Sequence, residues 1–344
     1  MASSKIHPSL SPSKDRNHQT PKLQLFFDWD ETITGHDTLS LIPPPNTTPP
    51  FSELGKAYMD DLNTFQSTFK STSNKTYSPQ DIAQMYDLNQ HSTPHLSPQL
   101  CDELAYLYAL DHVEVTSVNR TEKSGIFIGW DPAQARERAA STELVQIRQG
   151  WQDIVTWLVH QPSEEVEMHI ISVSWSSTFI RAGLESHPHS LLPPTSPFPT
   201  TLNANDPSLS PTNLGNGTLS KSSPSSTSDR GDTRAGIRTG KHKLDVLRAL
   251  SASSTAITVY VGDSSTDLPC LLHVHIGILI GNKESMLKKL DGLGIEVESA
   301  DSFLERWGAQ STKDALGKGL GADGKPRLVG VQDWRDVLRI LHVL

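Results

Sequence analysis

The chain has 344 residues, enough for one large α/β domain with an inserted module, or for two domains. Apolar residues make up only 35% and aromatic ones 6%, so part of the chain is expected to stay outside any packed core. The net charge is −9, from 30 basic and 39 acidic residues without a basic block, which speaks against nucleic acid and against an anionic membrane surface as partners.

Residues 1–22, rich in Ser, Pro and charge, read as a disordered tail without the apolar run of a secretory signal. "LQLFF", Leu23 to Phe27, reads as a buried strand, with a turn at Thr34-Gly35. After the proline cluster at 43–50 comes a long, mainly polar region. Within it "CDELAYLYALDHVEVTSV" and "DPAQARERAASTELVQIRQGWQDIVTWLVHQ" have helical periodicity, the second with Asp131 as N-cap and Pro132 at the first helical position. "EVEMHIISVS", 165–174, reads as a second buried strand, and "STFIRAGLE" as the helix that leaves it.

Residues 186–236 are dominated by Ser, Pro, Thr, Asn and Gly, and read as a low-complexity, largely disordered insertion with a short strand near "FPTTLNA". Beyond it come the helix "KHKLDVLRALS", the strand "AITVYVG", the turn "DSSTDLPCLLH" and the strand "IGILIG". A strand "GIEVES" and a helix "DSFLERWG" follow, with "WRDVLRILHVL" as the closing helix. Alternating strands and helices predict an α/β fold with a mostly parallel, doubly wound sheet. No apolar run approaches the ~18 residues of a membrane span. Cys101 and Cys270 are too few for a disulfide framework and are not spaced as metal ligands, which favours a reducing compartment. The expectation is a soluble cytoplasmic protein, with the nucleus also open.

The chemistry lies at strand ends. Asp28 and Asp30 follow the first strand, and Asp263 and Asp267 follow "VYVG". Buried carboxylates are costly unless paired. In an open parallel sheet, ligands bind at the carboxyl ends of the strands. If the two strands are neighbours, four carboxylates converge there, and such a group calls for a hard cation such as Mg²⁺. A lone D-x-D is often a solvated turn, and a lone G-D-x-x-x-D often a capped loop; together, each after a buried strand, they mark a site. "SVSWSSTFI" offers hydroxyls and backbone N–H groups at a helix start, which suit phosphate oxygens. "TGKHKLD" places Lys241 and Lys243 where the helix dipole disfavours cations, so one of them can answer a phosphate or a carboxylate.

These four stretches, in this order, resemble the haloacid dehalogenase (HAD) superfamily of phosphohydrolases. "FFDWDETIT" resembles its first motif, which implies Asp28 as nucleophile, Asp30 as general acid/base and Thr32 as part of the supporting turn. "IISVS" resembles the second, which implies a phosphate-binding serine: Ser172, or else Ser174. The third implies a phosphate-binding lysine, Lys243 with Lys241 as competitor, and "VYVGDSSTDLPCLL" resembles the fourth, with Asp263 and Asp267 at the metal. The implied metal set is Asp28, Asp30, Asp263 and Asp267 around Mg²⁺. The resemblance covers roughly 22–42 and 165–300. It implies a Rossmannoid core from 23–42 and 165–344, with 43–164 as a helical cap like that of phosphoserine-phosphatase-like members. "VYVGDSSTDLPCLLHVHIGILIG" and "SVSWSSTFIRAGL" are similar to the phosphatase portion of plant thiamin-monophosphate phosphatases. In "TTLNANDP", Asn203 and Asn205 stand where relatives have a substrate-contacting turn.

The reading that follows is a Mg²⁺-dependent phosphatase acting on a small phosphorylated metabolite through an aspartyl-phosphate. A C–halogen hydrolase of the same fold is disfavoured by Asp30, and a phosphomutase shares the first chemical half. A non-catalytic scaffold has no need of Asp28, Asp30, Lys243, Asp263 and Asp267 together. Trp29, Trp130, Trp151 and Trp175 are candidates for the mouth of the site or for packing. His36 and Asp37 follow the first loop closely enough to reach a substrate.

Overall fold

A computed structural model of the protein describes residues 22–72, 79–86, 96–162, 164–190, 192–193, 196–220, 236–252, 254–281, 283–309 and 326–344. The expected tail lies outside these residues except for Lys22. Strand β1 (Leu23–Phe27) is buried along its whole length. A 3-10 turn at Leu39–Leu41 leads to α1 (Phe51–Thr72), α2 (Pro79–Met85), α3 (Pro98–Ala109), α4 (Asp111–Ser124), α5 (Pro132–Ala140) and α6 (Trp151–Val159). The chain returns through β2 (Val166–Ile171), α7 (Ser177–Ser186), β3 (Thr201–Asn203) and a hairpin of β4 (Asp206–Leu209) and β5 (Gly215–Ser220). The remaining elements are α8 (Gly240–Ser251), β6 (Ile257–Gly262), α9 (Leu268–His273), β7 (Ile276–Ile280), α10 (Glu284–Gly292), β8 (Glu296–Ser299), α11 (Ala300–Ala309), β9 (Arg327–Val331) and α12 (Trp334–Leu341).

The main sheet runs β3-β2-β1-β6-β7-β9-β8, and every pair in it is parallel. The expected doubly wound α/β fold is therefore the observed one. Successive residues of a strand point to opposite faces, and here each face has its own core. Leu25, Phe27, Ile170, Val261 and Ile280 pack on one side with α6, α7 and α12. Phe26, Ile171, Tyr260 and Leu279 pack on the other with α3, α8 and α9. Each such side chain is worth about 1.5–3 kcal/mol when removed from water. β1 is flanked by β2 and β6 in a common register, Phe27 level with both Ile170 and Val261. Three strand ends therefore meet at one edge.

Several expectations change. Helix α1 arises from text that reads as merely polar, and "CDELAYLYALDHVEVTSV" divides at Leu110 into α3 and α4. The next expected helix breaks into α5 and α6; Asp131 caps α5 by accepting from the Ala133 amide. The break needs Gly150, whose φ is +83° and whose Cβ position lies 2.6 Å from the Arg335 amide nitrogen, so α6 can press against α12. In the 43–164 segment, α1 pairs with α4, whereas α5 packs on α7 and α6 on α12 in the layer beneath the sheet. The 186–236 stretch holds β3 at the sheet edge and the β4-β5 hairpin, rather than being largely unfolded; residues 221–235 lie outside those described. Polar, proline-rich text can fold there because the hairpin hangs on other elements, Gly215 exchanging backbone bonds with Gly129 and Trp130. Strand β9, absent from the sequence reading, inserts between β7 and β8. No helix among the described residues is long and apolar enough to cross a membrane.

Candidate active site

Asp28 continues β1, its amide donating to the Val261 carbonyl, so its carboxylate is carried into the crevice between β1 and β6 and is only 4% exposed. Its Oδ2 lies 2.8 Å from Lys243 Nζ, while its Oδ1 is buried without a hydrogen-bond partner. Burial pushes the Asp28 carboxyl well up, Lys243 pulls against this, and the charges of Asp267 and Asp263 add to the rise. Lys243 enters from the first turn of α8, fully buried, and spans Asp28 and Asp267 at 2.8 Å each. Burial alone lowers an ammonium's pKa, but Asp267 and Asp28 outweigh it and hold Lys243 above its ordinary value. That compensates for the unfavourable helix start. Lys241 is elsewhere: its ammonium is bound 2.6 Å from Asp245 one turn along α8 and takes no part in the carboxylate group.

Gly262 permits the tight turn that follows β6, since its Cβ position falls 2.5 Å from Asp267 Cγ. Asp267 Oδ1 accepts from Lys243 and from Tyr260 Oη at 2.7 Å; Oδ2 accepts from the Asp263 and Ser264 amides and from Ser264 Oγ. Burial favours the neutral acid, yet Lys243 and these hydroxyls reverse the balance, and the Asp267 pKa is lowered. Asp267 therefore braces the loop with both oxygens committed. Asp263 Oδ1 accepts from Thr32 Oγ1 at 3.3 Å, and its Oδ2 from Lys283, which also reaches Glu31 at 2.9 Å. Burial and the Asp267 charge raise the Asp263 pKa to about 6 against the pull of Lys283.

Asp28, Asp263 and Asp267 present oxygens within 4.8 Å of one another. Asp30, expected with them as a metal ligand, is not in this group. Its Oδ1 accepts from the Thr38 amide at 2.7 Å and from Thr38 Oγ1 at 2.6 Å, because the 28–38 loop folds back on itself. Burial and the nearby Asp37 charge raise the Asp30 pKa to about 7, with Thr38 opposing. The donor set fits Mg²⁺, a hard ion that takes one or two carboxylates and retains several waters. Of these oxygens Asp28 Oδ1 is the one without a partner, and Asp263 would have to exchange Lys283 for the cation to join it.

At the end of β2 the two candidate serines separate. Ser172 Oγ is engaged by the Ser174 amide at 3.1 Å, whereas Ser174 Oγ is buried with no partner. Ser172 Oγ accepts from the turn and keeps its own proton to donate, so Ser172 and Ser174 both hold a hydroxyl that a phosphoryl oxygen can use. Asn205 holds that turn, donating to the carbonyls of Val173, Ser174 and Ile237. Asn203 pairs with Ser172 through its backbone. The start of α7, expected to be open to phosphate, is already filled: Asp206 accepts from Ser176, Ser177 and the Thr178 amide.

Sequence reasoning missed Thr38, Lys283, Tyr260 and Arg148. Arg148 binds the Glu31 and Thr32 carbonyls and so fixes the 28–34 loop. Trp29 is core, but its Nε1 donates to Thr38 Oγ1 at 3.0 Å and thereby orients the group that holds Asp30. Trp130 and Trp151 are core as well, His36 binds the Leu144 carbonyl, and Trp175 and Asp37 line a cavity. Only the helix-start lysines and the strand-end pattern carried a local signal; Arg148 and Lys283 act across the chain, while Thr38 and Tyr260, close in sequence to Asp30 and Asp267, meet them only through the folding of the loops between.

No family model and no curated protein matches this sequence. Solved structures that it resembles include a phospho-aspartyl intermediate analogue of phosphoserine phosphatase, at 11% identity and TM-score 0.36, covering 78% of this chain and 91% of that one. A HAD family hydrolase from Salmonella enterica subsp. enterica serovar Typhi aligns at 15% identity and TM-score 0.40, over 79% of this chain and 66% of that one. A conserved functionally unknown protein from Anaerococcus prevotii DSM 20548 aligns at 10% identity and TM-score 0.40, over 83% and 88%. The likeness is loose in geometry as well as in sequence.

Proposed function

We propose that the protein is a Mg²⁺-dependent phosphomonoesterase of the HAD type, acting on a small phosphorylated metabolite through an aspartyl-phosphate on Asp28. The observation that supports it best is Asp28 itself: a buried strand-end carboxylate with one oxygen held by Lys243 and the other unpartnered. An isolated buried carboxylate is costly, and a preorganised one is what an in-line attack on phosphorus requires.

In this reading Asp28 forms a bond to phosphorus as the ester P–O bond breaks. Asp30, whose carboxyl is held at about 7 and whose Thr38 bonds fall only on Oδ1, donates a proton to the leaving oxygen. It then takes a proton from the water that cleaves the aspartyl-phosphate. Lys243 orients Asp28 and offsets negative charge, and the hydroxyl of Ser172 or Ser174 donates to a phosphoryl oxygen. Asp267 keeps Lys243 and the 262–267 loop in place. Asp28 and Asp263 would hold Mg²⁺, which when bound would supply charge neutralisation.

The test is hydrolysis of p-nitrophenyl phosphate with Mg²⁺ or EDTA, by wild type and Asp28→Asn, with beryllium fluoride binding followed by ¹⁹F NMR. Mg²⁺-dependent turnover abolished in the variant supports the reading and justifies a wider ester screen, thiamin monophosphate included. Folded protein that neither turns over an ester nor binds beryllium fluoride refutes it.

A further inference from the structure

Glu31 and Lys283 each stand where local preference argues against them. Glu31, between Asp30 and Thr32, has a φ of +55°, a left-handed conformation that a residue with a Cβ adopts only at a cost. Its backbone is tied on both sides, the amide donating to Thr34 Oγ1 at 3.1 Å and the carbonyl accepting from Arg148. Its side chain is half-exposed, so burial does not account for a glutamate there. Lys283 is the N-cap residue of α10, and its side chain makes no capping bond. Ser, Thr, Asn and Asp are the residues that cap, and a cation at a helix start opposes the dipole. This side chain is half-exposed as well.

The two meet over the carboxylate group. Lys283 Nζ lies 2.9 Å from Glu31 Oε1 and 2.8 Å from Asp263 Oδ2, so one ammonium bridges an open carboxylate and one that is 2% exposed. The other Asp263 oxygen meets Thr32 Oγ1 at 3.3 Å. Lys283 thus supplies the positive charge that a buried Asp263 needs, and losing it without replacement leaves that carboxylate uncompensated. A divalent cation at Asp28 and Asp263 replaces it. Two positive charges against one carboxylate repel, so the ammonium leaves as the cation arrives. It keeps Glu31 when it does, so displacement breaks one ion pair and not two.

We propose that Lys283 is a built-in counter-ion of the metal site, displaced by the divalent cation, and that Glu31 retains the released ammonium at the mouth of the crevice. This rests on the reading above that Asp28 and Asp263 hold the cation. The pair then sets how tightly the protein holds Mg²⁺, the ammonium lowering the affinity and Glu31 restoring part of it.

Isothermal titration with Mg²⁺ and with Mn²⁺ compares wild type, Lys283→Met, Lys283→Gln and Lys289→Met. Lys289 also brings its ammonium to the 263–267 loop, but onto Ser265 Oγ at 2.8 Å and Glu103 at 2.6 Å, so it reports what loss of a nearby charge does by itself. Lys283→Gln keeps a donor for Asp263, which protects the fold if the loop needs that bond. An exposed ion pair is worth up to about fivefold in an equilibrium, and Asp263 is the buried half of this one. Both Lys283 substitutions are therefore expected to tighten both cations at least fivefold, and Lys289→Met to change them little. A smaller gain from Lys283, or an equal one from Lys289→Met, overturns the inference.

In EDTA, Lys283→Met is expected to unfold at a lower temperature than wild type and to regain the difference with Mg²⁺. A deficit that Mg²⁺ leaves in place makes the lysine a structural residue only and overturns the inference. Glu31→Gln is expected to weaken Mg²⁺ binding in wild type and much less in the Lys283→Met background. Equal weakening in both makes Glu31 a charge acting by itself and overturns its part. Mg²⁺ bound by wild type and with unaltered affinity by the variants overturns the inference and leaves the phosphomonoesterase reading standing. Neither cation bound by any form overturns the inference together with the Mg²⁺-dependent reading.

Discussion

Glu114 on α4 offers a direct test of the electrostatic reasoning. It faces the cavity, accepts from Tyr58 Oη at 2.7 Å, and has its carboxyl pushed up to about 7 by burial, with the Tyr58 bond opposing and the Asp111 charge adding. Its ordinary value is 4.5. Below that value Glu114 is neutral in both folded and unfolded chains. As pH rises from about 4.5 to 7, the unfolded chain ionises first, so this residue's contribution to stability falls; above 7 both forms are ionised and the loss is complete. A shift of about 2.5 units corresponds to roughly 3 kcal/mol, an upper limit because part of the residue faces the cavity. Glu114→Gln keeps shape and the acceptor for Tyr58 but cannot ionise. The variant is expected to match wild type near pH 4.5 and to be more stable at pH 8. At ~2–4 °C per kcal/mol for large domains, that upper limit corresponds to about 6–12 °C in Tm. Thermal unfolding followed by circular dichroism from pH 4.5 to 8.5 measures it. A Tm difference that does not change with pH, or a variant less stable than wild type at pH 8, refutes the reasoning.

Lys243→Met leaves Asp28 and Asp267 buried without their shared cation, and breaking a buried pair in this way costs about 3–5 kcal/mol. Chemical denaturation at pH 8 is expected to show that loss, and a change under ~1 kcal/mol counts against the bridge. Asp206→Ala removes the acceptor shared by Ser176, Ser177 and the Thr178 amide, and is expected to cost roughly 1–2 kcal/mol as a lost cap. The freed α7 terminus should then show added protection from hydrogen exchange with millimolar phosphate, which wild type lacks; equal protection in both contradicts an occupied terminus.

What the sequence determined by itself is what covalent neighbourhood can encode. Apolar runs ending in Asp28 and Asp263 were legible as strand ends, because burial on both faces of a parallel strand leaves no polar alternation. Lys241 and Lys243 stood out together because a cation in a helix's first turn opposes the local dipole. The α/β alternation followed from the periods of the segments. In α1 the apolar residues Phe51, Leu54, Tyr58, Leu62, Phe65 and Phe69 do recur at helical spacing, but the polar majority between them masked the stripe, and the run of β9 was too short to mark an element.

The tertiary structure decided what near neighbours in the sequence touch. Lys241 and Lys243 differ by two residues, which on a helix turns one to Asp245 and the other into the core. Ser172 Oγ accepts the Ser174 amide, whereas Ser174 Oγ is buried without a partner. Asp30 left the carboxylate group because Thr38 sits where the loop returns, and Thr38 is itself held by Trp29. Asp206 closed the α7 terminus from a hairpin nearly thirty residues away in sequence. Lys283 and Arg148 joined the site from the loops before α10 and α6, and Tyr260 from β6 itself. A side chain's period places it on a face, but its partner is set by whichever distant segment packs against that face.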